Sequence, residues 1–391
     1  MFRCYTLITI QQNSPKRAKT LFFDFCNQFD ASDTWVDLTN QAKITVPKNI
    51  YVRDQNNKLL PLGGDNVNVG GFDKFSPLFL RGDKIKIEMG YRYYRGNQEI
   101  LEKSQIFEGY ISEVQSKKPI ELKAEDNMWL LKQIPCKPQT WNKSVEELVA
   151  TMLKDHPEIT VNKLSSTSIG QIVVQNETVA QFLERMRKDA SLEAYFRGNE
   201  LRVGSLVYLP GDNIVNGKII FKKFVFQGNI ITDELTYKRK DDVIMSAVVT
   251  SQFETVNGTT KDGQAKTKKE RLEILVYWNK KKNDWDYIKK EKGKDLPANT
   301  EGERRTVPLV NVSSVAVMFK AGKDAIQKYF YEGFRGKFTT FAIPYVRQGD
   351  NVIIEDPILP ERNGKYKVKG VNYSGGVSGH RQEIILDFLI P

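Results

Sequence analysis

The two histidines are the first residues to examine for chemistry, because histidine is a common general base and metal ligand. His156 precedes Pro157 where the pattern predicts the exit of a helix, and His380 lies in a glycine-rich turn. Neither has a cysteine, a carboxylate pair or a serine elbow at a useful spacing, and no G-x-S-x-G sequence occurs. The sequence therefore predicts surface positions for both histidines and identifies no catalytic residue.

Other candidate sites are equally weak. The loop from Gly63 to Gly71 is glycine-rich, but it lacks the Gly-Lys-Ser/Thr ending of a phosphate cradle and precedes no predicted helix. Cys4, Cys26 and Cys136 are odd in number and widely spaced, which favours reduced thiols over a disulfide framework or zinc site. No spacing singles out two carboxylates for glycoside cleavage. We expect no enzyme activity, no cofactor and no metal site.

Composition describes an ordinary globular protein with a basic surface. The chain has 391 residues, and its 59 Lys+Arg against 48 Asp+Glu give a formal net charge of +11. Such an excess is compatible with an acidic partner, but a lysine-rich solvated surface is the favoured explanation. No apolar run approaches the ~20 residues needed to cross a bilayer, so we expect no membrane insertion. The short apolar piece Tyr5–Ile10 indicates a strand rather than a signal peptide.

The elements that must position any site are mostly strands. Ile85, Ile87, Met89 and Tyr91 alternate with polar residues or glycine, which is typical of a half-buried strand, and similar patterns fill residues 1–135. Residues 136–230 differ, because Ser144 opens an S-x-x-E capping box before an apolar helical stripe. A second helix is predicted over about 179–190, followed by a hairpin around Gly198–Asn199.

From residue 231 the chain is strand-like again. A lysine-rich stretch at 256–305, with a strand candidate at 272–278, indicates a hairpin or loop standing out from a core. A third helix is predicted from Asp324 to Tyr331. The predicted domains are a first β-barrel at 1–135, a small α+β domain with two helices at 136–230, and a second β-barrel at 231–391 carrying the lysine-rich insertion at about 256–320.

An internal repeat relates the two β-rich parts. Gly82–Asp83 opens one apolar strand that ends in glutamate, and Gly349–Asp350 opens another. Two further strand-like segments follow each turn in the same order, at 107–114 and 120–126 in the first copy and at 365–371 and 383–388 in the second. A small antiparallel sheet leaves two edges unless it closes, so two related β-barrels are predicted. Two similar surfaces in one chain allow a ring with twice as many quasi-equivalent units as subunits.

With these segments in view, the sequence resembles the baseplate hub proteins of contractile phage tails, the late control protein D family. The likeness is carried by RGDKIKIEMGY, IFEGYISEV and IELKAEDNMWLLKQ in the first half, by QNETVAQFLERMRKDASLEAYFRGNELRVG in the middle, and by IPYVRQGDNVIIEDP, GKYKVKGVNYS and RQEIILDFLIP at the end. DTWVDLTNQAKITVP also looks like the family's opening strands. The lysine-rich region has no counterpart.

The resemblance implies a β-rich α+β fold with two related antiparallel barrels of the tube type, separated by small α+β domains. It implies a homotrimeric, non-enzymatic hub whose pseudo-sixfold ring adapts the tail tube to a threefold spike, within the virion tail baseplate of a phage, prophage or contractile injection system. Assembly is expected in the bacterial host cytoplasm, in contact with other baseplate proteins. Because the chain stops at Pro391, the spike is expected to be a separate protein, and nucleic acid is expected only in transit.

A single-stranded nucleic-acid-binding protein is the alternative. Small barrels of the OB kind bind single strands through basic grooves and stacked aromatic rings. Tyr91, Tyr93 and Tyr94 beside Arg92 and Arg95 offer such a pattern. Salt-dependent affinity for DNA would favour this alternative over the hub.

Overall fold

The computed structural model describes residues 3–13, 19–47, 50–62, 78–115, 119–142, 144–163, 172–190, 192–204, 208, 214–259, 265–298 and 301–390. The glycine-rich loop at 63–71 lies outside these residues. Within them, no helix is long and apolar enough to cross a membrane.

The first third of the chain is antiparallel β-structure. The apolar piece at the N-terminus is a strand, as predicted, and the alternating residues of the half-buried strand point into the core. The elements are β1 (Arg3–Gln11), β2 (Thr20–Phe23), β3 (Gln28–Thr34), β4 (Gln41–Val46), β5 (Ile50–Asp54), β6 (Leu59–Leu62), β7 (Lys84–Arg95), β8 (Gln98–Gln115), β9 (Ile120–Glu125) and the short helix α1 (Met128–Leu131).

The middle of the chain is the predicted α+β region. Its two helices and the Gly198–Asn199 hairpin are confirmed, and their apolar stripes meet in one cluster of buried residues. The elements are β10 (Gln139–Trp141), α2 (Val145–Met152), β11 (Thr160–Lys163), β12 (Ile172–Val174), α3 (Val179–Ala190), β13 (Glu193–Arg197), β14 (Glu200–Gly204), β15 (Ile214–Val215) and β16 (Lys218–Ile219).

The capping box gives a modest testable effect. The Ser144 hydroxyl accepts a hydrogen bond from the Glu147 amide at 3.3 Å at the start of α2. We expect Ser144→Ala to lower the free energy of unfolding by about 1 kcal/mol, because that amide loses its cap. Urea denaturation measures the change, with Thr151→Ala in the same helix as the control. Equal stabilities of Ser144→Ala and wild type would contradict the cap's role.

The last part of the chain returns to strands. Between residues 238 and 333 it forms a four-stranded sheet packed against one helix, called here the inserted module. The elements are β17 (Lys222–Val225), β18 (Ile230–Lys238), β19 (Met245–Thr259), β20 (Ala265–Asn279), β21 (Asp284–Lys289), β22 (Glu303–Val310), α4 (Val315–Gln327), β23 (Gly333–Thr340), β24 (Asn351–Glu355), β25 (Gly364–Gly376) and β26 (Arg381–Leu389).

The inserted module corrects two sequence predictions. The lysine-rich stretch forms a hairpin of β19 and β20, which is one of the two predicted forms, but it does not merely stand out from a core, because Ile274 and Val276 belong to a buried core of its own. The third helix begins at Val315 and ends at Gln327, rather than spanning 324–331. Its first turn is rich in apolar and β-branched residues, which resemble a strand locally. Gly322 allows the helix to approach the sheet, because a Cβ there would lie 2.6 Å from Val249 Cγ2.

One sheet continues through both β-rich parts. Its strand path is β18-β23-β26-β25-β3-β4-β9-β8-β7-β1-β2-β5-β6, with β24 and β17 beside β25. The link between the halves is the antiparallel pair of β25 and β3, where Gly370–Gly376 lies opposite Gln28–Thr34. Among the described residues, no strand pairing closes either half into a barrel, so closure stays a prediction. The domain limits at 135 and 230 also stay predictions.

Candidate functional site

The two Gly-Asp turns have the same backbone geometry. Gly82 and Gly349 have φ angles of 90° and 82°, in the left-handed region that glycine adopts without a steric penalty. The Gly82 amide donates to the Ile111 carbonyl at 2.8 Å, and the Ile111 amide donates to the Asp83 carbonyl at 2.9 Å. In the second turn, the Gly349 amide and the Asp350 carbonyl bond Val368 in the same way, at 3.0 and 2.9 Å.

The side chain of the aspartate stabilises each turn through hydrogen bonds to nearby backbone amides. Each carboxylate accepts a hydrogen bond from the amide three residues earlier, at 2.8 Å between Leu80 and Asp83 and at 3.0 Å between Arg347 and Asp350. Asp83 also accepts from the Asn13 amide at 3.1 Å, while Asp350 pairs with the Lys222 ammonium. Because both carboxylates are buried, each is fixed by its partners rather than by water.

An aromatic ring covers each turn. A Cβ added at Gly82 would lie 3.3 Å from the ring of Trp129, and one added at Gly349 would lie 3.6 Å from the ring of Tyr208. Trp129 stacks on Tyr110 with ring centroids 5.1 Å apart. The Lys367 ammonium lies 5.1 Å from the centroid of Tyr208. The two glycines therefore sit in closely packed junctions.

The strands around the turns follow one plan twice. The first unit is β3, β4, β7, β8 and β9, in the spatial order β3-β4-β9-β8-β7; the second unit is β18, β23, β24, β25 and β26, in the corresponding order β18-β23-β26-β25-β24. The pairing register shifts just after Ile111 on β8 and just after Val368 on β25. Ser112 and Lys369 are therefore the unpaired extra residues of two β-bulges. Each directly follows the residue whose backbone hydrogen-bonds the Gly-Asp turn, Ile111 in the first unit and Val368 in the second.

One ion pair also occurs in both units, and the sequence analysis did not predict it. Lys43 on β4 lies 2.9 Å from Glu121 on β9, and Lys337 on β23 lies 3.0 Å from Glu383 on β26. In each unit the lysine directly precedes a buried residue that lies opposite another buried residue on the neighbouring strand. These cross-strand pairs are Ile44 with Leu122 and Phe338 with Ile384. The sequence signal is the likeness of AKITV at 42–46 to GKFTT at 336–340.

These ion pairs lie on the exposed face of the continuous sheet, which is hollowed into a groove of about 860 Å³. Seven strands of the two units line it, with apolar side chains on the opposite face. The charged residues that line the groove are Asp30, Lys43, Glu113, Lys123, Glu125, Arg381 and Glu383. Glu121 and Lys337 lie beside it as the ion-pair partners of Lys43 and Glu383, and together these residues are called here the groove face.

Hydrogen bonds and ion pairs on the groove face favour the charged forms of Lys123, Lys337 and Glu383. A hydrogen bond to Glu113 raises the pKa of Lys123, and one to Glu383 raises the pKa of Lys337. Burial tends to raise the pKa of Glu383, but hydrogen bonds from Asn372 and Lys337 hold it below its ordinary value. Lys123 and Lys337 therefore stay charged and paired at neutral pH.

The structure places the two histidines differently from each other. His156 is partly exposed and lies 3.2 Å from Glu158. His380 was predicted at the surface, and this is wrong: it is fully buried. Its Nδ1 lies 3.0 Å from the Gly90 carbonyl, and its Nε2 lies 2.9 Å from the Thr6 hydroxyl. Glycine-rich neighbours let the turn fold inward onto the first unit, so the ring joins the two units.

The tyrosines of the nucleic-acid alternative do not share one surface. Tyr91 is buried, and its hydroxyl donates to the His380 carbonyl at 3.1 Å. The Tyr93 hydroxyl donates to Glu102, while Arg92 lies 3.6 Å from Glu99. Only Tyr94 among the three is strongly exposed. This arrangement does not support a stacking platform for bases.

Comparisons with known proteins identify the fold. No protein-family model matches the chain, and no curated protein matches it in sequence. The tail protein from Neisseria meningitidis MC58 superimposes with a TM-score of 0.55 and 12% identity, over 98% of this chain and 96% of that protein. The 43 kDa tail protein of prophage MuSo2 from Shewanella oneidensis gives 0.54 and 9%, over 99% and 98%.

A chain of the lidded Francisella PdpA-VgrG complex has a TM-score of 0.50 and 9% identity, over 98% of this chain and 53% of that one. The resemblance to tail proteins found in the sequence is thus confirmed for the fold, over the full length of two solved tail proteins.

Proposed function

We propose that this chain is a structural, non-enzymatic hub subunit in the baseplate of a phage or phage-like contractile tail. Three copies form a ring of six related units, which adapts the sixfold tail tube to a separate threefold spike and contacts other baseplate proteins. Assembly takes place in the host cytoplasm, and the mature location is the virion tail. The observation that carries the proposal is the repeated unit, with its Gly-Asp turn, displaced register and ion pair.

The junction between the two units indicates how a ring is built. Within the chain, β25 of the second unit pairs with β3 of the first. The Asp33 carboxylate strengthens this junction by accepting a hydrogen bond from the Gln348 amide at 3.0 Å. The repeat relates β25 to β8 and β3 to β18, so the same junction predicts that β8 of one copy pairs with β18 of the next.

Both of those edges are available. Among the described residues, β18 pairs only with β23, and β8 beyond Ser112 pairs only with β9. Transferring the register of the internal junction places Val114 opposite Tyr237 and Gln115 opposite Thr236 of a neighbouring copy. A contact of this head-to-tail kind joins two different edges, and it closes into a ring when the rotation between copies allows.

The dimensions suit a tube. Eight strands of each chain, β18-β23-β26-β25-β3-β4-β9-β8, follow one another in the sheet. Three chains supply about 24 strands, which at ~4.8 Å per strand give a circumference of about 115 Å and a diameter of about 37 Å. The groove face would line the inside of this ring.

A cysteine pair tests the predicted contact. In a Cys4→Ser background, which removes the exposed thiol, we expect Gln115→Cys with Thr236→Cys to yield a covalent trimer of three 44.9 kDa chains on oxidation. Non-reducing gel electrophoresis and negative-stain images of the chain, alone and with its spike protein, measure the product.

The chain supplies its own controls. Ser32→Cys with Asn372→Cys marks the equivalent internal pair and should form a disulfide within one chain. Gln115→Cys with Thr232→Cys is four residues out of register and should not give the trimer. A monomeric product from the first pair, in the presence of spike and tube proteins, would refute the proposed ring.

A further inference from the structure

The internal junction between the two units has an exposed counterpart on the surface of the chain. Inside the chain, the Gln348 amide donates to the Asp33 carboxylate at 3.0 Å, and Gln348 is only 3% exposed. Arg81 precedes Gly82 as Gln348 precedes Gly349, so the repeat makes Arg81 the equivalent residue of the first unit. Arg81 is exposed and has no ion pair or hydrogen bond to any residue that the structure describes. Since the equivalent residue is buried, Arg81 marks a surface that a second copy would cover.

The predicted contact between copies brings a carboxylate to Arg81. The register of the repeat makes Tyr237 on β18 equivalent to Asp33 on β3, so Tyr237 of the next copy faces Arg81. Tyr237 carries no charge, but its hydroxyl donates to the Glu332 carboxylate at 3.1 Å. Glu332 is exposed, and no described residue forms an ion pair with it. Glu332 therefore supplies at the outer edge the acceptor that Asp33 supplies inside the chain.

A second pair of opposite charges meets at the neighbouring position of the same contact. The register of the internal junction, transferred to the two outer edges, places Glu113 on β8 directly opposite Lys238 on β18 of the next copy. Inside the chain this position holds Gly370 opposite Thr34, and neither is charged. The Glu113 side chain is 49% exposed although it lies 2.9 Å from Lys123. Lys238 is exposed and has no ion-pair partner in the described part of the chain. Opposite charges on directly opposed strand residues attract.

We propose that copies of this chain recognise one another through two ion pairs, in which Arg81 and Glu113 of one copy meet Glu332 and Lys238 of the next. This inference rests on the proposed ring and adds to it what selects the partner edge. The internal junction forms within one chain and needs no charges to find its partner. The outer junction forms between separate molecules, where opposite charges steer association and disfavour wrong pairings. A shift of two residues along β18 separates Glu113 from Lys238, so the ion pairs also fix the register.

Charge reversal at both members of one pair tests the inference. The parent is the Cys4→Ser chain with Gln115→Cys and Thr236→Cys, oxidised with spike and tube proteins present, and non-reducing gels give the initial rate of covalent trimer formation. We expect Arg81→Glu and Glu332→Arg each to slow this rate about tenfold, because like charges then face each other. The double variant, with Arg81→Glu and Glu332→Arg, should recover to within about threefold of the parent, because the two changes couple across one contact.

The second pair is tested in the same way, with Glu113→Lys, Lys238→Glu and their combination. Lys188→Glu is the matched control, because it reverses an exposed lysine that pairs with Glu184 on α3 and belongs to neither edge. We expect it to change the rate by less than about twofold, since an isolated exposed ion pair contributes little. The melting temperature of each variant checks that its fold is unchanged.

The outcomes separate this inference from the proposed function. Equal rates for the parent and the single charge-reversed variants would overturn the inference and leave the ring standing. Single variants that lose the trimer at an unchanged melting temperature, without recovery in the double variants, would also overturn it, because the charges would then act on other partners. Absence of a covalent trimer from the parent itself would refute the proposed ring, and with it the contact that these ion pairs require.

Discussion

Replacing Asp83 or Asp350 with alanine is expected to lower the free energy of unfolding by about 2–4 kcal/mol in each case, because two hydrogen-bond donors in each turn lose the buried carboxylate that accepts from them. Asp83→Ala leaves the amides of Leu80 and Asn13 without their carboxylate. Asp350→Ala does the same to the Arg347 amide and to the ammonium of Lys222. A domain has about 5–15 kcal/mol of net stability, so each loss is large.

Denaturant unfolding of each variant measures this effect. Asp155→Ala, which removes a carboxylate from an exposed turn, is the control and should change the stability by less than about 0.5 kcal/mol. Asparagine at either position keeps one acceptor oxygen and should restore part of the loss. If one aspartate tolerates alanine and the other does not, the two turns are not equivalent in energy.

The second large effect is expected at His380, the buried link between the two units. Because the Gly90 carbonyl can only accept, the Nδ1 atom of His380 carries the proton, and Nε2 accepts from the Thr6 hydroxyl. His380→Ala leaves both partners unsatisfied and opens a cavity beside Phe29 and Tyr91. We expect a loss of about 3–5 kcal/mol in the free energy of unfolding.

The same residue makes stability depend on pH. Burial lowers the pKa of His380 below its ordinary value, so the unfolded chain binds this proton more readily than the folded one. Stability from His380 is therefore present above about pH 6.5 and is lost as the pH falls toward the lower folded pKa. Burial raises the pKa of Asp126 to about 7, which acts in the opposite sense.

Thermal unfolding between pH 5 and 8 isolates the histidine. His380→Asn keeps a donor near the Nδ1 position and cannot titrate, so its stability should fall less than that of wild type on acidification. His156→Asn is the control, because that ring is partly exposed. Identical pH profiles for wild type and His380→Asn would exclude His380 as the cause.

Local chemistry explains which features could be predicted from sequence. Gly82–Asp83 and Gly349–Asp350 are recognisable because a left-handed glycine followed by a capping aspartate forms a turn whatever surrounds it. Ser144 marks the start of α2 for the same reason. The alternation at Ile85 and Ile87 predicts a buried face because period two is a property of the strand itself.

Long-range packing explains what could not be predicted. The ion pair of Lys43 and Glu121 depends on the register of two strands that are far apart in sequence. His380 directly follows Gly379 in a glycine-rich segment, so the sequence resembles a surface turn, although the first unit covers the ring in the structure. The start of α4 at Val315 depends on packing against a sheet that the sequence alone presents as a lysine-rich hairpin or loop.

The inserted module begins and ends at one cross-strand residue pair of the second unit, because Lys238 on β18 lies directly opposite Gly333 on β23. The first unit crosses the corresponding place with residues 35–40 alone. An insertion at such a point leaves the pairing of β18 with β23 intact, since the two ends of the insertion are already adjacent. The inserted module can therefore be gained, lost or replaced in evolution while the sheet of the two units stays unchanged.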